Sequence, residues 1–206
     1  MKSQNSESSK KKRLIIIGAS GHGKVVADIA LLNGYKDIVF LDDDESKKEC
    51  AGFPVVGKTS EAKNLVGDKI VAIGNASVRE RIQNTIETVT LIHPNAVIGR
   101  NVEIGDGTVV MAGAVINTDT RIGKGCIVNT SASVDHDCII GNYAHVAVGA
   151  HVCGTVKVGK CVWVGAGATV SNSITICDGV LIGAGAVVVK NIRDPGLYVG
   201  IPARVK

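Results

Sequence analysis

Asp135-His136-Asp137 is the strongest chemical signal in the chain. An imidazole flanked by carboxylates can have its tautomer fixed and its basicity raised, which suits a group that removes a proton near neutral pH. A surface histidine in a polar turn is the plainer reading of the same residue. His145 and His151 follow six residues apart. Their spacing admits metal ligation together with His136, but spacing alone says little. Cys153 is a second potential nucleophile; no base is evidently paired to it, and a small turn residue explains it as well. A different chemistry resides near the start, in Gly18-Ala19-Ser20-Gly21-His22-Gly23. Glycines at a strand–helix junction let the backbone approach a phosphate, and the helix N-terminus supplies N–H donors and positive dipole. The spacing is GxxGxG, not the dinucleotide GxGxxG. Asp42 and Asp43 follow the next strand, where such folds place a ribose-binding acid, and Gly74-Asn75 follows a third. A packing turn with solvated acids nearby is the alternative. The loop and the acids together favour a nucleotide-linked ligand.

These residues need elements to hold them. From Ile98 to Val188 every sixth residue is Ile or Val, sixteen positions without a break, and two residues before each sits a small or aliphatic side chain. Even if half of all residues were aliphatic, chance would give that run only ~10⁻⁵ of the time. Six fits neither a 3.6-residue helix nor an alternating strand; it is the period of a parallel β-helix. Three hexads close an 18-residue coil, giving a little over five coils and a prism about 26 Å tall. His136 then points outward from a turn. One coil later the equivalent residue is Gly154, so the imidazole borders a place without a side chain. One end of the prism is expected to be covered by the N-terminal segment, and the sides by oligomerisation.

Before residue 90 the pattern alternates. Leu14–Ile17, Ile38–Leu41 and Ile70–Ile73 read as buried strands, and Lys24–Asn33 as a helix ended by Gly34. Ser77 with Glu80 reads as a capping box for a helix through Ile86. The order implies a small parallel sheet with helices on its faces. Residues 1–12 are Ser- and Lys-rich and read as a disordered tail without the apolar core of a signal peptide. No apolar run is long enough for a bilayer, so a soluble cytoplasmic protein is expected, without a membrane partner. Net charge is +4, with dispersed cations and few aromatics, which gives nucleic-acid binding little support. Among six cysteines, Cys126 and Cys138 fall at the small inward position of the repeat, as buried hydrophobes rather than disulfide or zinc partners.

Six segments carry a family resemblance: GASGHGKVV at 18–26, FLDDD at 40–44, AIGN at 72–75, LIHP at 91–94, the run from Asn129 to Gly159, and VGIPARV at 199–205. With them the chain resembles the PglD/NeuD-like bacterial sugar acetyltransferases, a branch of the left-handed β-helix acyltransferases. The resemblance covers nearly everything after residue 12. It implies an α/β Rossmann-like N-terminal subdomain (13–88) followed by a left-handed parallel β-helix (89–206). It implies acetyl-CoA as donor without a metal, and a UDP-linked 4-amino-4,6-dideoxy sugar as acceptor. His136 would be the general base and Asp137 the acid that raises its basicity. His145, Gly154, Ala166 and Ala184 would contact acetyl-CoA. Ser20, Gly21, His22, Asp42, Asp43 and Gly74 would form the nucleotide-sugar site. The site would lie between subunits of a homotrimer. O-acetylation of a sialic acid is the nearest alternative; a zinc hydratase using His136, His145 and His151 and a non-catalytic scaffold are more remote. With no long loop protruding from the coil, the N-terminal domain must hold the acceptor, so deleting 1–88 is expected to abolish acceptor binding and keep acetyl-CoA binding.

Overall fold

A computed structural model describes residues 12–206, so the expectation of a disordered tail falls largely outside the described residues. Two units follow one another. In the first, a five-stranded sheet has the order β3-β4-β2-β1-β5, with β1 at Arg13–Ile17, β2 at Asp37–Leu41, β3 at Glu49–Cys50, β4 at Phe53–Gly57 and β5 at Asp68–Val71. β1, β2, β4 and β5 run parallel, and β3 pairs antiparallel with β4. The sequence pattern anticipates the three buried strands but not β3 and β4. Pro54 and a half-exposed run hide β4, which lies next to the two-residue edge strand β3.

The helix α1 (Gly21–Leu32) ends in a Schellman motif: Tyr35 N–H bonds Ala30 O at 3.1 Å and Gly34 N–H bonds Leu31 O at 3.0 Å, with Gly34 at φ +86°. The expected glycine terminator is therefore in place. The second helix, α2 (Ala76–Gln83), departs from expectation. Its N-cap is Asn75, whose side-chain oxygen accepts from Val78 N–H at 3.0 Å. Ser77 lies inside the helix, and Glu80 pairs with Lys160 at 2.6 Å instead of closing a capping box. Asn is as good an N-cap as Ser, and the strand-end turn delivers Asn75 to that position first.

From Leu91 onward the chain winds as a parallel β-helix of two-residue strands in three sheets. The first face carries Leu91–Ile92, Val109–Val110, Ile127–Val128, His145–Val146, Trp163–Val164 and Leu181–Ile182, then the C-terminal strands. The second face runs from Val97–Ile98 to Val187–Val188, and the third from Glu103–Ile104 to Thr175–Ile176. Neighbours in each ladder are 18 residues apart, as in Val110↔Val128↔Val146, until the C-terminal strands, where Leu181 pairs with Leu197, 16 residues on. The hexad Ile and Val residues from Val110 to Val188 fill the prism with their small partners. Each side chain of that kind removed from water contributes ~1.5–3 kcal/mol.

Polar atoms that point inward are satisfied along the coil. Thr108, Thr120, Cys126 and Cys138 each donate to a carbonyl 15 residues ahead. Burial pushes the thiols of Cys126 and Cys138 up to about 11, consistent with packing rather than reactive roles.

The α/β unit covers a flank of the prism rather than its end. One side of its sheet (Leu14, Ile16) packs on α1 and shares a core with Val109 and Ile127, the outward residues of the first face. Aliphatic residues on both surfaces make that flank the apolar partner of α1. The opposite side of the sheet (Ile15, Ile17) packs on Ile82 of α2. Among the described residues no helix is long and apolar enough to cross a membrane.

Candidate active site

His136 stands at the corner between the second and third faces, half exposed. Its Nδ1 lies 2.8 Å from Asp137 Oδ2. Asp137 occupies a left-handed backbone position at φ +58°, which aspartate tolerates better than most residues. The hydrogen bond to Asp137 and the charge of Asp135 raise the imidazole above its ordinary pKa. With Nδ1 committed to a carboxylate, the neutral ring carries its proton there and leaves a lone pair on Nε2.

Nε2 faces the expected gap. A Cβ added to Gly154 would sit 2.7 Å from both Cε1 and Nε2 of His136. The corner is pinned from within. Thr120 Oγ1 donates to Asp135 O at 2.7 Å, and Cys138 Sγ to Cys153 O at 3.1 Å. The second bond fixes the peptide plane whose N–H belongs to Gly154, and that N–H has no protein acceptor among the described residues. Asn117 holds Asp135 Oδ1 at 2.8 Å, and the same oxygen accepts the His136 amide at 2.9 Å. The corner therefore offers a rigid base, a void and a free amide within one short stretch. Cys153 has no base bonded to it.

The other expected acetyl-CoA residues are dispersed. Ala166 and Ala184 are exposed and stack on the corner between the first and second faces, with Gly185 N–H bonding Ala166 O. His145 lies on the first face and is only 7% exposed. Its ring sits 4.2 Å from that of Trp163, its Nε2 lies 3.0 Å from Asn129 Nδ2, and its Nδ1 is buried without a partner. Burial, helped by the charges of Arg79 and His22, pushes it down to about 3. His151 points from the second face and meets Ser133 at 2.8 Å. The three imidazoles thus stand on different parts of one chain, and the described residues hold no cluster of three His, Cys, Asp or Glu suited to a metal.

The glycine loop is built as a phosphate cradle would be. Gly18 (φ +111°) and Gly23 are required by packing: a Cβ on Gly18 would press Ala72 O at 2.7 Å, and one on Gly23 would collide with Gly18 O. Gly21 faces open space. Ser20 is the N-cap of α1 but makes no side-chain cap bond, so the first amides of the helix remain available. Asp42 Oδ2 accepts Ala19 N–H at 2.7 Å and Lys47 Nζ at 3.0 Å. Burial would raise Asp42, but the amides of Asp44 and Ala19 and the Lys47 ammonium outweigh it and hold the carboxyl low. Asp42 therefore shapes the loop. It also lines a cavity of ≈ 300 Å³ with Lys47, Lys48 and Lys58. Asp43 instead bonds Thr59 N–H at 2.9 Å and borders a separate cavity of ≈ 390 Å³.

Arg79 joins the two units and does not stand out in the sequence, where it reads as one charge on a polar helix. It is fully buried. Its guanidinium donates to Ile73 O and Gly74 O at 2.8 Å, and to Gly125 O and Tyr143 O at 2.6 Å. It thereby ties the Gly74 rim to two coils of the prism. His22 reaches the same seam: its Nε2 is buried without a partner, and burial, with the Arg79 charge, lowers it to about 4.

The glycine loop therefore sits with the unit on the first face, whereas His136 occupies the opposite corner of the prism.

Comparison with known proteins gives a consistent set. Residues 13–86 match the family model of the PglD N-terminal domain, and residues 85–118 that of the bacterial transferase hexapeptide (six repeats). The acetyltransferase domain of PglB from Neisseria gonorrhoeae FA1090, in complex with acetyl coenzyme A, superposes with a TM-score of 0.92 at 40% identity, over 95% of this chain and 100% of that one. PerB from Caulobacter crescentus, in complex with CoA and GDP-perosamine, gives 0.88 at 36% identity, over 94% of this chain and 96% of that one. The UDP-N-acetylbacillosamine N-acetyltransferase of Bacillus subtilis (strain 168) is 38% identical over 115 residues, or 49% of this chain. That match spans 52% of the relative's length.

Proposed function

The chain belongs to the PglD-type sugar acetyltransferases, and from that premise we propose that it moves the acetyl group of acetyl-CoA to the amino group of a UDP-linked 4-amino-4,6-dideoxy sugar in the cytoplasm. The observation that carries the reading is the His136 imidazole, braced by Asp137, with Nε2 over the gap at Gly154. The acceptor amine, neutral, attacks the thioester carbon while Nε2 takes one of its protons. A C–N bond forms and a tetrahedral oxyanion develops. The free Gly154 N–H, in a peptide plane held by Cys138, is the donor we assign to that oxygen. Collapse breaks the C–S bond, and the proton on His136 leaves with the CoA thiolate. A thioester is already activated, so this direct transfer needs no metal.

The nucleotide belongs on the other unit. Free amides at the start of α1, with Ser20, Gly21 and His22, fit the diphosphate, and Asp42, Asp43 and Gly74 frame it. Because that loop and His136 lie on opposite sides of one prism, the reaction needs the corner of one protomer against the loop of another. A homotrimer meets this requirement with three equivalent sites. In it, His145, Ala166 and Ala184 of one chain would border acetyl-CoA held at the His136 corner of the next. UDP is the nucleotide of the Bacillus relative's named substrate, and N-acetylation is its named reaction.

His136→Ala is expected to lower kcat by about 10²–10⁴ and to keep acetyl-CoA affinity. CoA release measured with UDP- and GDP-linked 4-amino sugars, and with free and CMP-linked sialic acids, tests the acceptor. Unchanged turnover in the variant would remove the base, and preferred acetylation of a sialic acid hydroxyl would remove the amine.

A further inference from the structure

The gap beside His136 has a second polar wall. Thr118, His136, Gly154 and Asn172 stack at 18-residue intervals on one corner. The point where a Gly154 Cβ would sit is 2.7 Å from His136 Nε2 and 3.4 Å from the Asn172 side-chain nitrogen. The imidazole and the carboxamide therefore flank the same vacancy from adjoining coils. Neighbouring polar groups are already engaged: Thr118 Oγ1 donates to Arg100 O, and Asp135 Oδ1 accepts from Asn117 and from the His136 amide. Asn172 is exposed, and its carboxamide makes no hydrogen bond to any described residue.

Amine chemistry supplies the missing partner. A neutral primary amine that aims its lone pair at the thioester carbon presents two N–H bonds elsewhere. His136 Nε2 takes one. The second must find an acceptor once the site is closed to water, or its desolvation adds to the barrier. Of the groups that border the vacancy itself, the imidazole nitrogen and the carboxamide oxygen can accept, because a carboxamide offers either its O or its N by a half-turn. We propose that Asn172 accepts the second N–H of the acceptor amine through Oδ1 and so orients the nucleophile. The inference rests on the reading of His136 as base and of the acceptor as an amine.

The step balances without a further reagent. The C–N bond forms, the C–S bond breaks, one amine proton passes through Nε2 to the thiolate, and the second stays on the amide product. The contact to Asn172 thus persists from attack to product. A hydroxyl acceptor has a single hydrogen, which Nε2 consumes. Asn172 then has no N–H to receive, so the residue favours nitrogen over oxygen nucleophiles.

The test compares Asn172→Leu and Asn172→Asp with the wild-type full chain. CoA release is followed with acetyl-CoA and a UDP-linked 4-amino-4,6-dideoxy sugar, and acetyl-CoA binding by calorimetry. Leucine keeps the volume and removes the acceptor; aspartate keeps an acceptor oxygen. N172L is expected to lose about 10–100-fold in kcat/KM, chiefly in kcat, with acetyl-CoA affinity unchanged. N172D is expected to retain several-fold more activity than N172L. N172L within twofold of wild type, N172D no better than N172L, or a parallel loss of acetyl-CoA affinity would each overturn the proposal. Full turnover by His136→Ala in the same assay would instead overturn the underlying reading.

Discussion

Gly154 is where a single methyl group separates structure from chemistry. Its backbone does not require glycine, but a Cβ there meets the His136 ring at 2.7 Å. The ring is the far end of an exposed side chain and can swing away, so Gly154→Ala is expected to leave Tm within a degree or two and to lower kcat at least about tenfold; thermal melts and initial rates separate the two. The acid side of the pH profile tests Asp137. As the proposed base His136 would work deprotonated, and its pKa is raised from 6.5 first by the Asp137 hydrogen bond and then by Asp135. Activity should therefore fall as pH drops through a midpoint above 6.5. Asp137→Asn should move that midpoint to lower pH and lower the plateau; a profile that stays in place would contradict the pairing. The geometry of this corner was legible because motif and period agree: DHD marks the proposed base, and counting 18 forward lands on Gly154, which the structure places beside it. The same count one coil further lands on Asn172, but an asparagine between two serines carries no sign of its own until its amide is seen without a partner.

Among the elements, the seam between α1, α2 and the first face was the least legible. Its key atoms are a guanidinium bonded only to carbonyls and two imidazoles held neutral by burial. Arg79 has no sequence motif, because its partners are backbone carbonyls brought together by the fold, and the motif around His22 and the position of His145 give no sign that both rings are buried. Arg79→Met leaves four carbonyls without their donor and is expected to cost about 3 kcal/mol or more, read from denaturant unfolding. The two histidines give the seam an acid weakness. Their folded pKa values, about 4 and about 3, lie below the ordinary 6.5. Between those limits the unfolded chain takes up protons that the folded chain refuses, so stability is lost as pH falls below about 6.5. His145→Gln should flatten that decline in melts taken from pH 7 to pH 4.5; an equally steep decline in the variant would place the acid sensitivity elsewhere. The capping of α2 teaches the same lesson on a smaller scale: Asn75 and Ser77 are both competent caps, and only the course of the preceding turn selects one.

At the scale of the molecule, the hexad run fixes the prism because every sixth aliphatic must face one axis; fourteen of the sixteen are buried there, and Ile98 and Ile104 partly. Docking of the α/β unit was less visible. Val109 and Ile127 look like ordinary outward residues of a coil, yet they are buried beneath α1. Deleting residues 1–88 would expose them together with Leu91, so that truncation tests folding as much as acceptor binding. The arrangement instead directs attention to copies of the intact chain, since the glycine loop rides on the first face and His136 on the far corner. Shared sites can be tested by complementation. Gly21→Phe fills the open space before α1, where the fold has room and the diphosphate would lie, and His136→Ala removes the base. Each alone should be inactive. When the two are co-expressed at equal levels, about a quarter of the sites in randomly mixed trimers join an intact corner to an intact loop. The account predicts recovery of about a quarter of wild-type CoA release; mixed assemblies that stay as inactive as either parent would contradict it.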